Sequence, residues 1–186
     1  RVLVHFCAFL SGWVPTKIVS NSKYAIKSHS NIGYNKERFV HIPNGFECPP
    51  ALQREQLIHF RSSIGVREDE FLIGMVARFD IYKGHPTLLD ALSLVSDKGF
   101  KFKFVLAGEG VDENNHRLKD WISIKGLKSR CRLLGLRDDI NLILSSLDLH
   151  VLSSLAESFP NVVGESMYVG TPVVATNVGD VSALVS

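Results

Sequence analysis

Two basic residues and two carboxylates are the chemistry this sequence offers first. Arg78 and Lys83 lie in the segment Ala77-Arg78-Phe79-Asp80-Ile81-Tyr82-Lys83-Gly84, directly after the apolar run Phe71 to Ala77. A planar guanidinium fork and a compact ammonium on one loop can hold a diphosphate. They can equally be two unrelated charges on a solvated loop. Glu157 and Glu165 bracket a turn at Pro160 that opens a helical segment. Backbone amides of Asn161 and Val162 would lie in its first turn, at the positive end of the helix dipole, where an anion is stabilised. Glu165 falls about one turn further on and can point to the same side. A carboxylate is a bidentate acceptor suited to vicinal sugar hydroxyls, so phosphate with one carboxylate on either side fits a sugar–phosphate–ribose ligand. The plainer alternative is that Glu165 complements the dipole and Glu157 is solvated.

Two glycine-bearing segments complete the set. Ala107-Gly108-Glu109-Gly110 begins like a dinucleotide fingerprint, but position 113 is Glu113 where that pattern needs glycine, so a tight turn is expected. In Leu134-Gly135-Leu136-Arg137-Asp138-Asp139, exposed amides could read the edge of a base, or Asp138 or Asp139 could cap the next helix.

Such loops need a scaffold, and the periodicity supplies one. Short β-rich runs alternate with helical patterns. Strands are expected at Lys17–Ser20, Arg38–Ile42, Phe71–Ala77, Lys103–Ala107, Cys131–Leu134, Asp148–Leu152 and Pro172–Ala175. Helices are expected from Ser22 towards Gly33, and over 52–63, 86–96, 115–125, 140–145 and 161–169. The near-continuous apolar run at 71–77 is the mark of a strand buried on both faces. The expectation is an α/β, Rossmann-like parallel sheet with helices on both faces, whose ligands sit beyond the carboxyl ends of the strands. His150 alternates within a strand and should pack; His85 is placed to cap the helix after Lys83.

Pro43-Asn44-Gly45 and then Pro49-Pro50 mark a boundary. Residues 1–43, two strands and two helices, are too little for a domain of their own and read as the tail of a neighbouring domain with its linker. Residues 44–186 read as the ligand-binding domain, incomplete at its C-terminus, so both ends look cut.

Composition narrows the function. The 186 residues carry 21 Lys and Arg against 19 Asp and Glu, a net charge of +2, which gives no polyanion-binding footprint and argues against nucleic acid. No apolar run is long enough to span a membrane, and the stretch Val2–Val19 lacks the basic start and cleavage site of a signal peptide. Cys7, Cys48 and Cys131 are odd in number and scattered, a poor basis for disulfides or zinc, which places the chain in a reducing cytoplasm. The acidic triplet Glu68-Asp69-Glu70 precedes a strand and reads as solvated. There is no convincing D-x-D metal site.

Taken together, the motifs resemble the group 1 (family 4) retaining glycosyltransferases of the GT-B fold. The resemblance rests on Ile42-Pro43-Asn44-Gly45-Phe46, Ala77-Arg78-Phe79-Asp80 with Lys83-Gly84-His85, and Val105 to Gly110. It continues through Leu134-Gly135, Glu157-Ser158-Phe159-Pro160-Asn161 through Glu165 (an E-x7-E pattern), and Gly170 to Thr176. It implies that Arg78 and Lys83 hold the donor diphosphate and that Glu157 contacts donor-sugar hydroxyls, these three being the catalytic candidates. It implies that Glu165 meets the nucleotide ribose, that Phe159, Asn161 and Val162 offer backbone amides to sugar and phosphate, and that Leu136 and Arg137 lie in the loop that meets the base. No metal or other cofactor is implied.

The donor would be a UDP- or GDP-linked sugar. The acceptor would be a saccharide or glycolipid in surface polysaccharide synthesis, with any attachment to the inner face of the membrane made through the other half of the fold. That half would also carry the family's glycine-rich loop and the histidine near the donor sugar; none of the seven histidines here matches it by position. A piece of this extent, the donor-binding half of a hexosyltransferase, is expected to be inactive alone. Two other readings stand beside it: a sugar-nucleotide 2-epimerase of the same fold, against which the glutamate spacing and the Arg78/Lys83 loop argue, and a non-catalytic nucleotide-sugar-binding module.

Overall fold

A computed structural model describes residues 2–47 and 50–185. Cys48 and Pro49, and with them the stiffening expected of Pro49-Pro50, lie outside the described residues. The chain divides into two compact units, one comprising Arg1–Gly45, Ala156–Asn161 and Asn177–Ser186, the other Phe46–Leu155 and Val162–Thr176. The first thus takes in 156–161 and 177–186, two stretches that the sequence reading assigned with 44–186.

The first unit opens with helix α1 (Val2–Leu10), which no polar–apolar alternation announces. Strand β1 (Ile18–Ser20), helix α2 (Lys23–Asn31) and strand β2 (Phe39–His41) form a βαβ unit with parallel pairing, Ile18 opposite Phe39. Ser22 caps α2 as expected, its hydroxyl accepting from the Ala25 amide at 2.9 Å.

The second unit holds α3 (Arg54–Ser63), β3 (Phe71–Val76), α4 (His85–Asp97), β4 (Phe102–Ala107), α5 (His116–Ile124), β5 (Cys131–Leu133), α6 (Ile140–Ser146) and β6 (Leu149–Leu152). Helix α7 (Asn161–Tyr168) and strand β7 (Val173–Ala175) follow, and α8 (Val181–Leu184) lies in the first unit. The five strands of the second unit are all parallel, in the order β5-β4-β3-β6-β7. This is the doubly wound arrangement: strand order reverses between β3 and β6, and that junction is where such sheets take their ligands.

Alternation along the strands builds a core on each face. Ile73, Met75, Phe102, Phe104 and Leu106 pack with Leu88, Leu89 and Leu92 of α4 and Leu118 and Ile122 of α5. On the other face Leu72 and Val105 meet Leu144 and Leu147, and Ala107 meets Phe60 of α3 and Ile143 of α6. At the amino end of the sheet the buried Arg61 donates to the Asp148 carboxylate at 3.2 Å and to the Ser146 carbonyl at 3.0 Å. Asp148, expected inside β6, lies just before it and accepts from the Leu72 amide at 2.7 Å. The Glu68–Glu70 triplet is paired rather than simply solvated: Arg54 meets Glu68, and Arg67 meets Asp69 and Glu70. No helix among the described residues is long and apolar enough to cross a membrane.

Candidate functional site

The second unit opens at the junction of β3 and β6. Pairing between them covers Ile73 with Leu149 and Gly74 with His150, and stops there. On its other edge β3 pairs with β4 through all six residues, to Val76 with Ala107, and the Ala77 amide extends the ladder to the Ala107 carbonyl at 2.9 Å. The carboxyl half of β3 therefore parts from β6 where its loop leaves the sheet.

That loop carries Arg78 and Lys83 and is fixed at both ends. Asp80 caps a 3-10 turn over Ile81–Lys83, accepting from the Tyr82 amide at 2.8 Å. The Arg78 guanidinium, exposed, stands 3.6 Å from the Asp80 carboxylate. Gly84 adopts φ +67, and a Cβ there would lie 1.9 Å from the Ser153 carbonyl oxygen, so only glycine lets this loop meet the end of β6. The Ser153 hydroxyl reaches the Gly84 carbonyl at 3.0 Å and the Lys83 carbonyl at 3.3 Å, and the Leu155 amide donates to the Tyr82 carbonyl at 2.7 Å. His85 does not cap α4. It is the first residue of that helix, buried against Phe79, and neither ring nitrogen has a hydrogen-bond partner. Burial lowers its pKa to about 4, which keeps the imidazole neutral.

The Gly108 turn is structural, as the failed fingerprint implied. A Cβ at Gly108, φ +144, would lie 2.3 Å from the Ala77 carbonyl oxygen, and the Phe79 amide donates to the Glu109 carbonyl at 2.7 Å. In the next loop Leu136 is exposed, while the Arg137 guanidinium is engaged by Asp139 with Nε to Oδ1 at 2.8 Å. That bond holds the Asp139 carboxyl below the usual carboxylate range. Asp139 is the N-cap residue of α6 by position, but its side chain makes no capping bond because the arginine takes it. A cavity of about 460 Å³ lies beside this loop, lined among others by Glu55, His59, Phe60 and Arg137.

Helix α7 brings Val162 and Glu165 into the second unit. Burial pushes the Glu165 carboxyl upward. Gly164 lets the Phe46 ring lie directly on the helix; a Cβ there would fall 2.0 Å from the ring. Ser166, one turn above Val162, is fully buried and touches His150.

Glu157, Phe159 and Asn161 belong to the first unit. Their loop is held by contacts that sequence spacing gives no means of finding. The Ser22 hydroxyl reaches the Ser158 carbonyl at 3.2 Å, and the Asp180 amide reaches the same carbonyl at 2.9 Å. Gly179, φ +57, leaves room for the Glu157 carbonyl, 2.3 Å from where a Cβ would stand. Asn44 donates to the Asn161 side-chain oxygen at 2.7 Å and accepts from Asn21 at 3.2 Å. Asp180 accepts from the Lys23 and Tyr24 amides at 2.6 and 2.9 Å, closing the N-terminus of α2 with a carboxylate.

Comparison with known proteins agrees with this scaffold. A glycosyltransferase of Methanocaldococcus jannaschii is 29% identical over 98% of this chain and 47% of its own length. The lipopolysaccharide core biosynthesis glycosyltransferase LpsE of Rhizobium meliloti is 32% identical over 86% of this chain and 43% of its own. The crystal structure of HepE from Anabaena, in complex with UDP and glucose, superposes with a TM-score of 0.89 and 26% identity, covering 100% of this chain and 51% of that one. The chain thus spans about half the length of the relatives it matches, corresponding to the C-terminal half of a GT-B fold. The family of glycosyl transferases group 1 matches residues 58–186, and the chain belongs to that family.

Proposed function

We propose that this chain binds the donor of a retaining, metal-independent hexosyltransferase, a UDP- or GDP-linked sugar whose diphosphate lies at the carboxyl ends of β3 and β6. The observation that carries the reading is the end of β3–β6 pairing at Gly74 and His150, beside a loop that presents Arg78 and Lys83 on a backbone locked by Ser153. Lys83 supplies a point charge to the phosphates. A diphosphate competes with Asp80 for Arg78, whose guanidinium is exposed enough to turn to it. Once Arg78 has turned, the two cations and the amides at the start of α7 stabilise charge on the departing diphosphate, the usual source of rate enhancement in such transfers. Glu165, whose carboxylate burial disfavours, gains most from hydroxyl donors and suits the ribose. Leu136 and Arg137 meet the base, Phe159, Asn161 and Val162 offer amides, and Glu157 takes the donor-sugar hydroxyls.

The UDP held by HepE, 26% identical over the whole of this chain, supports the donor class. Relatives named for lipopolysaccharide core and O-antigen biosynthesis support a saccharide or lipid-linked acceptor; attachment to a membrane surface, through the other half of the fold, is part of the same proposal. Calorimetric titration of the chain with UDP and GDP tests the reading. Binding of one of them is expected, weakened at least tenfold in Lys83→Ala and lost in Glu165→Ala. No binding by the folded chain, or equal binding by the variants, overturns it.

A further inference from the structure

We infer that His150 and Ser166 are positioning residues: a fully buried imidazole–hydroxyl relay that sets the first turn of α7 against the end of β3. The inference rests on the donor-binding reading above. His150 and Ser166 have no exposed surface, and neither belongs to the motifs that carry the family resemblance as read above. Where β3 and β6 part, the Val76 amide no longer faces a strand. The Ala77 amide goes to β4, and the Val76 amide meets His150 Nε2 at 3.5 Å. A nitrogen that accepts carries no proton, so the other ring nitrogen, Nδ1, carries it. Nδ1 stands 2.9 Å from the Ser166 hydroxyl, which donates its own proton to the Val162 carbonyl at 2.7 Å. Every donor along the path Val76–His150–Ser166–Val162 then has an acceptor, and the directions agree with one tautomer only.

The relay replaces strand pairing at the point where pairing would close the ligand site. Its two ends are the last residue of β3, two residues before Arg78, and the second residue of α7, three before Glu165. An apolar pair in these positions would fill the space but leave the Val76 amide unsatisfied and the helix free to shift along its axis. Fixing phosphate and ribose contacts relative to one another is the positioning that precise binding requires.

Ser166→Ala removes the middle of the relay without adding volume. The expected result is UDP or GDP binding about two- to tenfold weaker, the range one hydrogen bond spans, together with a lower unfolding midpoint, because the buried Nδ1–H of His150 loses its acceptor. Nitrogen-15 NMR of the wild-type ring is expected to show protonated Nδ1 and unprotonated Nε2, and this readout needs no ligand. Full nucleotide affinity in Ser166→Ala, alongside loss in Glu165→Ala, overturns the relay and leaves the donor site standing. A protonated Nε2 overturns the relay by itself, whatever the variants do. Failure of the wild-type chain to bind either nucleotide overturns the donor site and the positioning role together.

Discussion

The two edges of β3 are built from one strand yet do opposite things. Towards β4 the ladder runs its full length and is sealed by Gly108, whose turn lies against the Ala77 carbonyl. Towards β6 the ladder stops after Gly74, and side chains take over the backbone's hydrogen bonds: His150 for the Val76 amide, Ser153 for the Lys83 and Gly84 carbonyls. Strand pairing makes a sheet stable, but a ligand needs the place where pairing ends. The cost of ending it is that each freed amide and carbonyl must find another partner. The polar side chains at the open edge meet that need, which is why they are buried there.

The contrast can be broken from either side. Leu106→Ala, on the sealed edge, should cost about 2–5 kcal/mol in urea unfolding, while the folded fraction keeps its nucleotide affinity. Gly84→Ala, on the open edge, should cost roughly 3 kcal/mol and abolish nucleotide binding as well, since the loop can no longer reach Ser153; retention of binding in calorimetry would mean the loop position is not set there. Lys83→Ala should weaken UDP or GDP about ten- to a hundredfold, the range for hydrogen bonds to charged groups, with an unchanged unfolding midpoint. Glu165→Gln should have the smallest effect on stability, and it should depend on pH. Burial raises the carboxyl pKa, so the ionised form penalises the folded state above the ordinary carboxylate range and not below it. The variant should therefore melt higher than wild type near neutral pH, and the gap should close as pH falls through that range.

Much of the scaffold was legible because periodicity reports burial. The apolar runs that become β3 and β4, the alternation in β6 and the spacing of Leu88, Leu89 and Leu92 follow directly from which faces leave water. Helix α1 was not legible: Val2, Leu3, Phe6 and Phe9 are apolar on exposed faces, so no period distinguishes them. The site divides the same way. Arg78 and Lys83 follow a strand and can be found by position. The position of His85 after Lys83 suggests a cap, whereas its ring packs on Phe79. Asp139 was offered as a cap, yet Arg137 two residues earlier competes for it and wins with a charge-assisted bond. The partners that hold the Glu157 loop, Ser22 and Asp180, lie far away along the chain, and local pattern carries no information about them.

The carboxylate that closes α2 also sets an order of events during synthesis. The Tyr24 amide and its acceptor on Asp180 are 156 residues apart. At about 5–20 residues per second, the helix is made roughly eight to thirty seconds before its acceptor exists. Through that interval the start of α2 lacks the charge that will neutralise it, and by its end every strand of the five-stranded sheet has been made. The sheet can therefore be complete before the α2 N-terminus acquires its carboxylate, and the nascent α2 must wait for one of the last residues of this sequence.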